Sequence, residues 1–213
     1  TLCLSDKADL FVKEDWGDGR INLRCERTGK YVTTISKGRR QSEEEDGALV
    51  AVKDAAFDWF VTAIFHIIPA ENGAVRLTNR FDQPIQISKD KKLYSALTGE
   101  GSSFLMETVV DGFEEVQRLM QCAKTVILAL GCHPMVNAKE EIDRTTLALP
   151  PHQEKLAKMI CKIKPDAICV LFSNYPYTIH SVQNTLPAIV WSATGSQDMG
   201  TAMAQTLYGK NAP

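Results

Sequence analysis

Over residues 1–110 short apolar runs alternate with turn residues. The runs "DLFVKEDWGDGRINLRC", "GKYVTT", "WFVTAIFHIIP", "GAVRLTN", "QPIQIS", "KLYSAL" and "SFLMETVV" are separated by Gly, Asn, Asp and Pro. Short strands punctuated in this way predict an all-β module. The pattern also recurs. Phe11, Gly19, Leu23 and Tyr31 reappear as Phe65, Gly73, Leu77 and Ile85, each 54 positions later. A third start stands at Phe104 and Gly112, each 39 positions after Phe65 and Gly73. The acidic insertion at Ser42–Asp46 lengthens the first repeat. Recurrence of this kind predicts pseudo-symmetric β units stacked on a shared core, with "TLCL" as the tail of an earlier one.

From residue 113 the apolar period changes. "FEEVQRLMQCAK" puts Phe113, Val116, Leu119 and Met120 on one helical face. "TVILALG" is a fully apolar strand ending in Gly131. "PPHQEKLAKMICKI" opens with prolines suited to a first helical turn and carries Leu156, Met159, Ile160 and Ile163 on one stripe. "DAICVLFS" and "PAIVWSA" read as two more buried strands. "SQDMGTAMAQTLYG" reads as a closing helix with Gly209 at its C-terminal cap. The order α-β-α-β-loop-β-α predicts a parallel sheet covered on both faces, with right-handed crossovers. The expected fold class is therefore all-β plus α/β, with the change of domain at residues 110/111. Function in such a sheet gathers beyond the carboxyl ends of the strands. Here those ends carry "GCHPMVNAKEEIDR", "SNYPYTIHS" and "ATGSQDMG".

Composition narrows the reading. With 213 residues and 44% hydrophobic content the chain can build a sizeable core. A net charge of −2, with both signs interspersed, gives no electrostatic reason to expect nucleic acid or an anionic membrane. No stretch approaches the roughly 18 apolar residues of a membrane span. None of the six cysteines forms a CxxC pair. Cys132, Cys161 and Cys169 lie in or beside apolar segments as small buried hydrophobes. This usage points to a reducing, cytoplasmic compartment. The chain opens without an initiator Met, so the missing signal peptide carries no information about secretion.

Several chemistries find little support. There is no GxGxxG, and "GSQDMG" lacks the Lys-Ser/Thr that would meet phosphate and Mg²⁺. His133, His180, Glu140 and Asp143 could converge at one sheet edge, but no HExxH-type spacing supports a metal. No cofactor or metal is therefore expected. Ser173 follows a strand without the flanking glycines of a nucleophile elbow. Cys132 and His133 are neighbours in sequence, whereas a catalytic pair needs neighbours in space. There remains "NAKEEIDR" at residues 137–144, where a carboxylate could serve as general acid and base.

The surrounding segment makes that possibility specific. "ILALGCHPMVNAKEEIDRTTLALPPHQEKLAKMI", then "PDAICVLFSNYPYTI", then "PAIVWSATGSQDMGTAMAQTLYGKNAP" stand in order. Over residues 113–213 they resemble the C-terminal αβα-sandwich domain of glycoside hydrolase family 3, on the "DR–TTLALP–HQ" and "GSQDMGTAMAQTLYG" blocks above all. In the first half, "GKYVTT" resembles the "GKYL" strand of fascin-like β-trefoils. The resemblances imply a partial αβα sandwich with a β-trefoil-like module inserted in it.

The family resemblance implies retaining hydrolysis of β-linked glucosides, xylosides or oligosaccharides. It places the nucleophilic Asp on a separate TIM-barrel domain, which this chain lacks, and the acid/base Glu on a loop of the sandwich domain. Counting back from Asp143-Arg144 puts Glu140 in the acid's place, with Glu141 as the one-residue alternative. Asp143 and Arg144 read as an ion pair and loop anchors. His133 either reaches the sugar or only holds the loop. Gln197 and Asp198 fit a structural place at a helix N-terminus. Trp16, Tyr31 and Trp59 are either sugar platforms or fillers of the β core and its cap. The stretch thus reads as an internal piece of a larger enzyme. An acid without a nucleophile cannot run the two-step mechanism, so the piece alone is expected to be inactive. The alternative function is a non-catalytic carbohydrate-binding module, or a structural spacer.

Overall fold

A computed structural model describes residues 1–35, 47–57, 61–133, 144 and 146–212. Among the described residues the chain divides into two compact units, the first built on Thr1–Thr108 and the second on Val109–His133 and the residues from Arg144 on.

The first unit is β-rich. Its strands are β1 (Phe11–Gly17), β2 (Arg20–Cys25), β3 (Tyr31–Thr34), β4 (Leu49–Lys53), β5 (Phe65–Pro69), β6 (Val75–Asn79), β7 (Ile85–Ile87), β8 (Leu93–Ser95) and β9 (Ser103–Phe104). Among the described residues they form an antiparallel sheet in the order β4-β3-β2-β5-β6-β9, with β1 paired to β2, and a separate β7-β8 pair.

The sequence recurrence is a recurrence of hydrogen-bond register. In the β1-β2 hairpin Phe11 lies opposite Cys25, Val12 opposite Arg24 and Lys13 opposite Leu23. In the β5-β6 hairpin Phe65 lies opposite Asn79, His66 opposite Thr78 and Ile67 opposite Leu77. Every partner is displaced by the same 54 positions. The turns match as well. Asp18 and Gly19 sit at φ 53° and 73°, and Asn72 and Gly73 at 55° and 76°. Asp-Gly and Asn-Gly are the dipeptides that tolerate two successive left-handed residues. The joins between repeats correspond too. Ile21 pairs with Phe65, and Val75 with Phe104. The phenylalanine that opens each repeat thus locks onto the same strand position of the repeat before it.

Of these locking residues Ile21, Phe65 and Phe104 line the core. Ile21, Val32, Leu49, Phe65, Leu77 and Ile85 form one buried cluster, with Leu23, Leu93 and Phe104 packed against it. Both repeats contribute, so neither could bury its apolar face alone.

The second unit contains α1 (Gly112–Met120), β10 (Ile127–Gly131), α2 (Pro151–Ile163), β11 (Ile168–Phe172), β12 (Ala188–Ser192) and α3 (Met199–Leu207). Asp111 caps α1 by accepting the amide N–H groups of Phe113 (2.7 Å) and Glu114 (3.3 Å). Pro151 begins α2. Gly209, at φ 69°, ends α3. Its N–H donates to Thr206 O (3.0 Å) and that of Lys210 donates to Gln205 O (2.8 Å), which together make a Schellman closure.

Strands β10, β11 and β12 are parallel and in that spatial order. Leu128 and Leu130 of β10 and Cys169 and Leu171 of β11 point to one face. There they meet Met120 of α1, Ala157 and Ile160 of α2, and Val182 and Leu186 of the β11–β12 connection. Trp191 of β12, paired with Leu171, lies on this same face and is 61% exposed. On the opposite face Ile127 is 48% exposed while Val170 is 1% exposed, and α3 buries no residue. The connections β10–β11 and β11–β12 both pack on the first face. The reason is topological. Two successive steps in the same direction, each made with the favoured right-handed crossover, put both connections on one face.

Phe65 is fully buried at the junction of the repeats. Phe65→Ala should lower unfolding stability by about 3–5 kcal/mol, read as a reduced midpoint in chemical denaturation.

Candidate active site at the carboxyl end of the parallel sheet

The strands β10, β11 and β12 end in register at Gly131, Phe172 and Ser192. Gly131 has φ 143°, and a Cβ there would stand 1.9 Å from the carbonyl oxygen of Phe172. Only glycine fits. Its backbone is held by one side chain. Gly131 N–H donates to Gln153 Oε1 (3.0 Å), and Gln153 Nε2 donates back to Gly131 O (2.9 Å). Gln153 lies in the first turn of α2, so a primary amide joins the strand end to the helix start. The N–H of Cys132 then donates to Phe172 O (3.3 Å), extending the parallel ladder past the glycine.

The neighbouring strand end is equally fixed. Ser173 is fully buried. Its Oγ accepts the N–H of Tyr175 (2.9 Å) and donates to Tyr175 O (2.7 Å), and Cys132 Sγ lies 3.7 Å away. A hydroxyl committed to its own turn is not an available nucleophile. Asn174 and Thr194 tie the ends of β11 and β12 together. Their side chains hydrogen-bond to each other, and the N–H of Thr194 donates to Asn174 Oδ1 (2.8 Å).

Arg144 is fixed on this edge as well. Its Nη2 donates to Pro176 O (3.0 Å). Its guanidinium lies over the rings of Tyr177 and Tyr175, with Cζ at 4.3 and 5.4 Å from their centroids. Just beyond, the N–H of Thr178 donates to Leu147 O (2.7 Å). The Arg144 Nη1 atom and the Tyr177 hydroxyl are buried without a hydrogen-bond partner. Burial pushes the Tyr177 phenol up to about 12; the nearby Cys132 adds to the rise and Arg144 opposes it. Burial lowers the imidazole of His133 from its ordinary value, which keeps it neutral at neutral pH.

His133 thus stands two residues after the clamped strand end. Glu140, Glu141, Asp143 and Trp59 lie outside the described residues. Arg144 is an anchor through backbone and ring contacts. Trp16 belongs to the first unit and is largely committed there. Its indole N–H donates to Asn22 Oδ1 (2.5 Å), and Asn22 in turn donates to Ala63 O (2.6 Å). Its ring meets Phe57 edge-on at 5.5 Å and packs against the buried Val61 and Ile64. Tyr31 donates to Glu14 Oε1 (2.8 Å). Among the described residues no group of three or more His, Cys, Asp and Glu is arranged to hold a metal.

Sequence reading assigned no role to Gln153, Tyr175 or Tyr177. A signal for Gln153 was present: a glutamine in the first turn of the helix that follows a strand-ending glycine, off the apolar stripe of that helix. The tyrosines are two apart and flank Pro176 in a loop, and no periodicity marks such a pair as a seat for a distant arginine.

The sequence profile of the glycosyl hydrolase family 3 C-terminal domain matches residues 5–213. A protein of Aspergillus fumigatus named probable exo-1,4-β-xylosidase is 24% identical over 152 residues, covering 68% of this chain and 20% of its own length. A GH3 β-glucosidase of Bifidobacterium adolescentis aligns with 46% of this chain and 14% of its own, at 26% identity and a TM-score of 0.43. The β-glucosidase of Kluyveromyces marxianus in complex with glucose aligns with 95% of this chain and 32% of its own, at 15% identity and a TM-score of 0.45. The chain spans a fifth of the length of the curated relatives it matches.

Gln153→Ala leaves the partly buried N–H and C=O of Gly131 without their partner. It should cost about 1–3 kcal/mol in thermal or chemical unfolding, and Gly131→Ala should cost more because its Cβ meets backbone. The lowered His133 imidazole sets a pH dependence. Below the ordinary imidazole value the unfolded chain binds a proton that the folded chain refuses, so stability falls as the pH drops towards the folded value. In His133→Gln the drop in midpoint temperature between pH 7 and pH 5 should be smaller.

Proposed function

The chain belongs to the glycosyl hydrolase family 3 C-terminal domain family, and on that premise we propose that it is part of a retaining β-glycosidase of the β-glucosidase or β-xylosidase kind. In this reading the second unit is the αβα-sandwich portion. Glu140 is its general acid and base, with Glu141 as the alternative. The nucleophilic carboxylate comes from a separate (β/α)₈ domain. The first unit is a β-trefoil-like module within the sandwich domain.

The observation that carries the reading is the anchoring of both ends of one acidic segment at the carboxyl edge of a parallel sheet. Gly131 is clamped by Gln153 at one end, and Arg144 is fixed on Pro176 and two tyrosine rings at the other. The sequence between them contains Glu140 and Glu141. Catalysis needs a carboxyl group held to within a fraction of an ångström of the glycosidic oxygen, on a loop supported by rigid elements.

The chemistry follows from two carboxyl groups about 5–5.5 Å apart. The nucleophile attacks the anomeric carbon while the protonated acid donates its proton to the departing oxygen, so the glycosidic C–O bond breaks as a glycosyl–enzyme ester forms. The resulting carboxylate then takes a proton from water. That water attacks the anomeric carbon and releases the sugar, with the nucleophile restored.

Matched repeats and register support the trefoil-like reading of the first unit. The carbohydrate-binding alternative draws no support from Trp16, whose indole N–H and much of whose ring are already engaged. Free Cys25 and Cys169, both buried, fit the reducing compartment that we propose.

In the full-length protein, Glu140→Ala should lower kcat/KM for aryl β-glycosides with poor leaving groups by about 10²–10⁴-fold. Substrates with good leaving groups should lose far less in the first step, and added azide should restore turnover as the β-glycosyl azide. A wild-type rate in this variant, with the loss found in Glu141→Ala, would move the acid by one residue. Wild-type rates in both would remove it from this segment.

A further inference from the structure

In the first unit one strand of each repeat does two jobs. Strand β2 pairs with β1 as a hairpin, and its Ile21 pairs with Phe65 of β5. Strand β6 pairs with β5 as a hairpin, and its Val75 pairs with Phe104 of β9. By the same rule β9 calls for a hairpin partner, and Phe11 of β1 calls for an equivalent of Ile21 and Val75. Among the described residues neither has one: β1 pairs with β2 alone and β9 with β6 alone. The consequence shows in burial. Phe65 is fully buried and Phe104 packs against the core, whereas Phe11 is 38% exposed, with Leu10 and Val12 exposed beside it. The hairpin spacing is 14 positions, from Phe11 to Cys25 and from Phe65 to Asn79. From Phe104 it leads to Arg118, which lies in α1 of the second unit. The residues after β9 therefore do not continue the third repeat.

The tail of that repeat stands at Leu2. Its N–H donates to Leu49 O (2.7 Å), and Leu93 N–H donates to Leu2 O (2.9 Å). Ser95 N–H donates to Gly47 O (2.8 Å), and Ala48 bridges to Tyr94. The stretch at Leu2, the start of β4 and β8 thus pair with one another in turn, as three equivalents. Strand β4 leads to the Phe65 strand and β8 to the Phe104 strand, just as Leu2 leads to Phe11. Ahead of β4 stand β2 and β3, and ahead of β8 stand β6 and β7. We propose that the segment immediately preceding Thr1 in the full-length protein supplies the missing strand. It pairs with β9 on one side and with β1 on the other, and closes a ring with β1, β2, β5, β6 and β9. Val75 stands 18 positions before Leu93, so the residue that locks Phe11 stands about 18 positions before Leu2. An apolar edge strand invites wrong pairing, and closure removes both edges at once. This closure depends on the repeat pairing of the first unit and not on the catalytic reading.

The test uses the full-length protein with a photo-reactive side chain at the seam, Phe11→p-benzoylphenylalanine. Irradiation should join it, within one chain, to a peptide about 14–22 positions before Leu2. No adduct, or an adduct with any other part of the chain, overturns the proposal. An adduct of two chains overturns it too, and makes a second copy the occupant. In a second measurement about six residues centred on the predicted position, a strand's length, are replaced by Gly and Ser. Hydrogen exchange at residues 8–14 should then be at least about ten-fold faster, with that of α2 unchanged. Unchanged exchange at residues 8–14 overturns the closure. Where the replaced protein does not fold, the cross-link in the unreplaced sequence decides.

Discussion

The carboxyl edge of the second unit depends on the paired hydrogen bonds between the amide of Gln153 and the backbone of Gly131. A parallel strand must end somewhere, and its last residue loses the ladder on one side. At Gly131 the chain passes so close to Phe172 that no side chain is tolerated, and the backbone adopts a conformation open to glycine alone. The N–H and C=O exposed by this turn would be costly if left unpaired. One primary amide carries both a donor and an acceptor, and so satisfies both groups. Because Gln153 sits in the first turn of α2, the same bonds set the start of the helix against the end of the strand. The acidic segment departs from a point fixed on three sides, by Phe172, by Gln153 and by the ladder bond of Cys132.

The first unit solves a different problem. A single β-hairpin cannot bury a face, so repeats must interlock. Here a phenylalanine opens successive repeats and pairs with an equivalent apolar position of the preceding one: Phe65 with Ile21, and Phe104 with Val75. The spacing between repeats can vary, from 54 to 39 positions, because loops absorb the difference while the pairing positions stay equivalent. Register is conserved where one face is buried, since a slip by one residue would turn every core side chain outward.

The two aromatic pairs of interest illustrate how burial separates scaffold from site. Trp16 and Phe57 meet edge-on over an apolar cluster, and the indole N–H is satisfied internally. Tyr175 and Tyr177 instead receive a cation from a segment far away in sequence. Arg144 Nη1 and the Tyr177 hydroxyl are left buried and unpaired.

Much of this was legible in the sequence. The alternation of short runs determined the strands of the first unit, the 54-residue recurrence determined its matched hairpins, and the change to helical period determined α1, α2 and α3. These features are local: propensity, turn chemistry and apolar period act over a few residues. The candidate acid was legible only as a carboxylate in the right place along a family pattern. Three things required the tertiary structure. The placing of both crossover connections on one sheet face follows from the direction in which successive strands are added. The commitment of Trp16 to internal contacts follows from which residues surround it. The seating of Arg144 on Tyr175, Tyr177 and Pro176 joins positions more than thirty apart. No local pattern encodes such meetings, because hydrogen bonds and stacking act over a few ångströms in space, and only the folded chain decides which residues come that close.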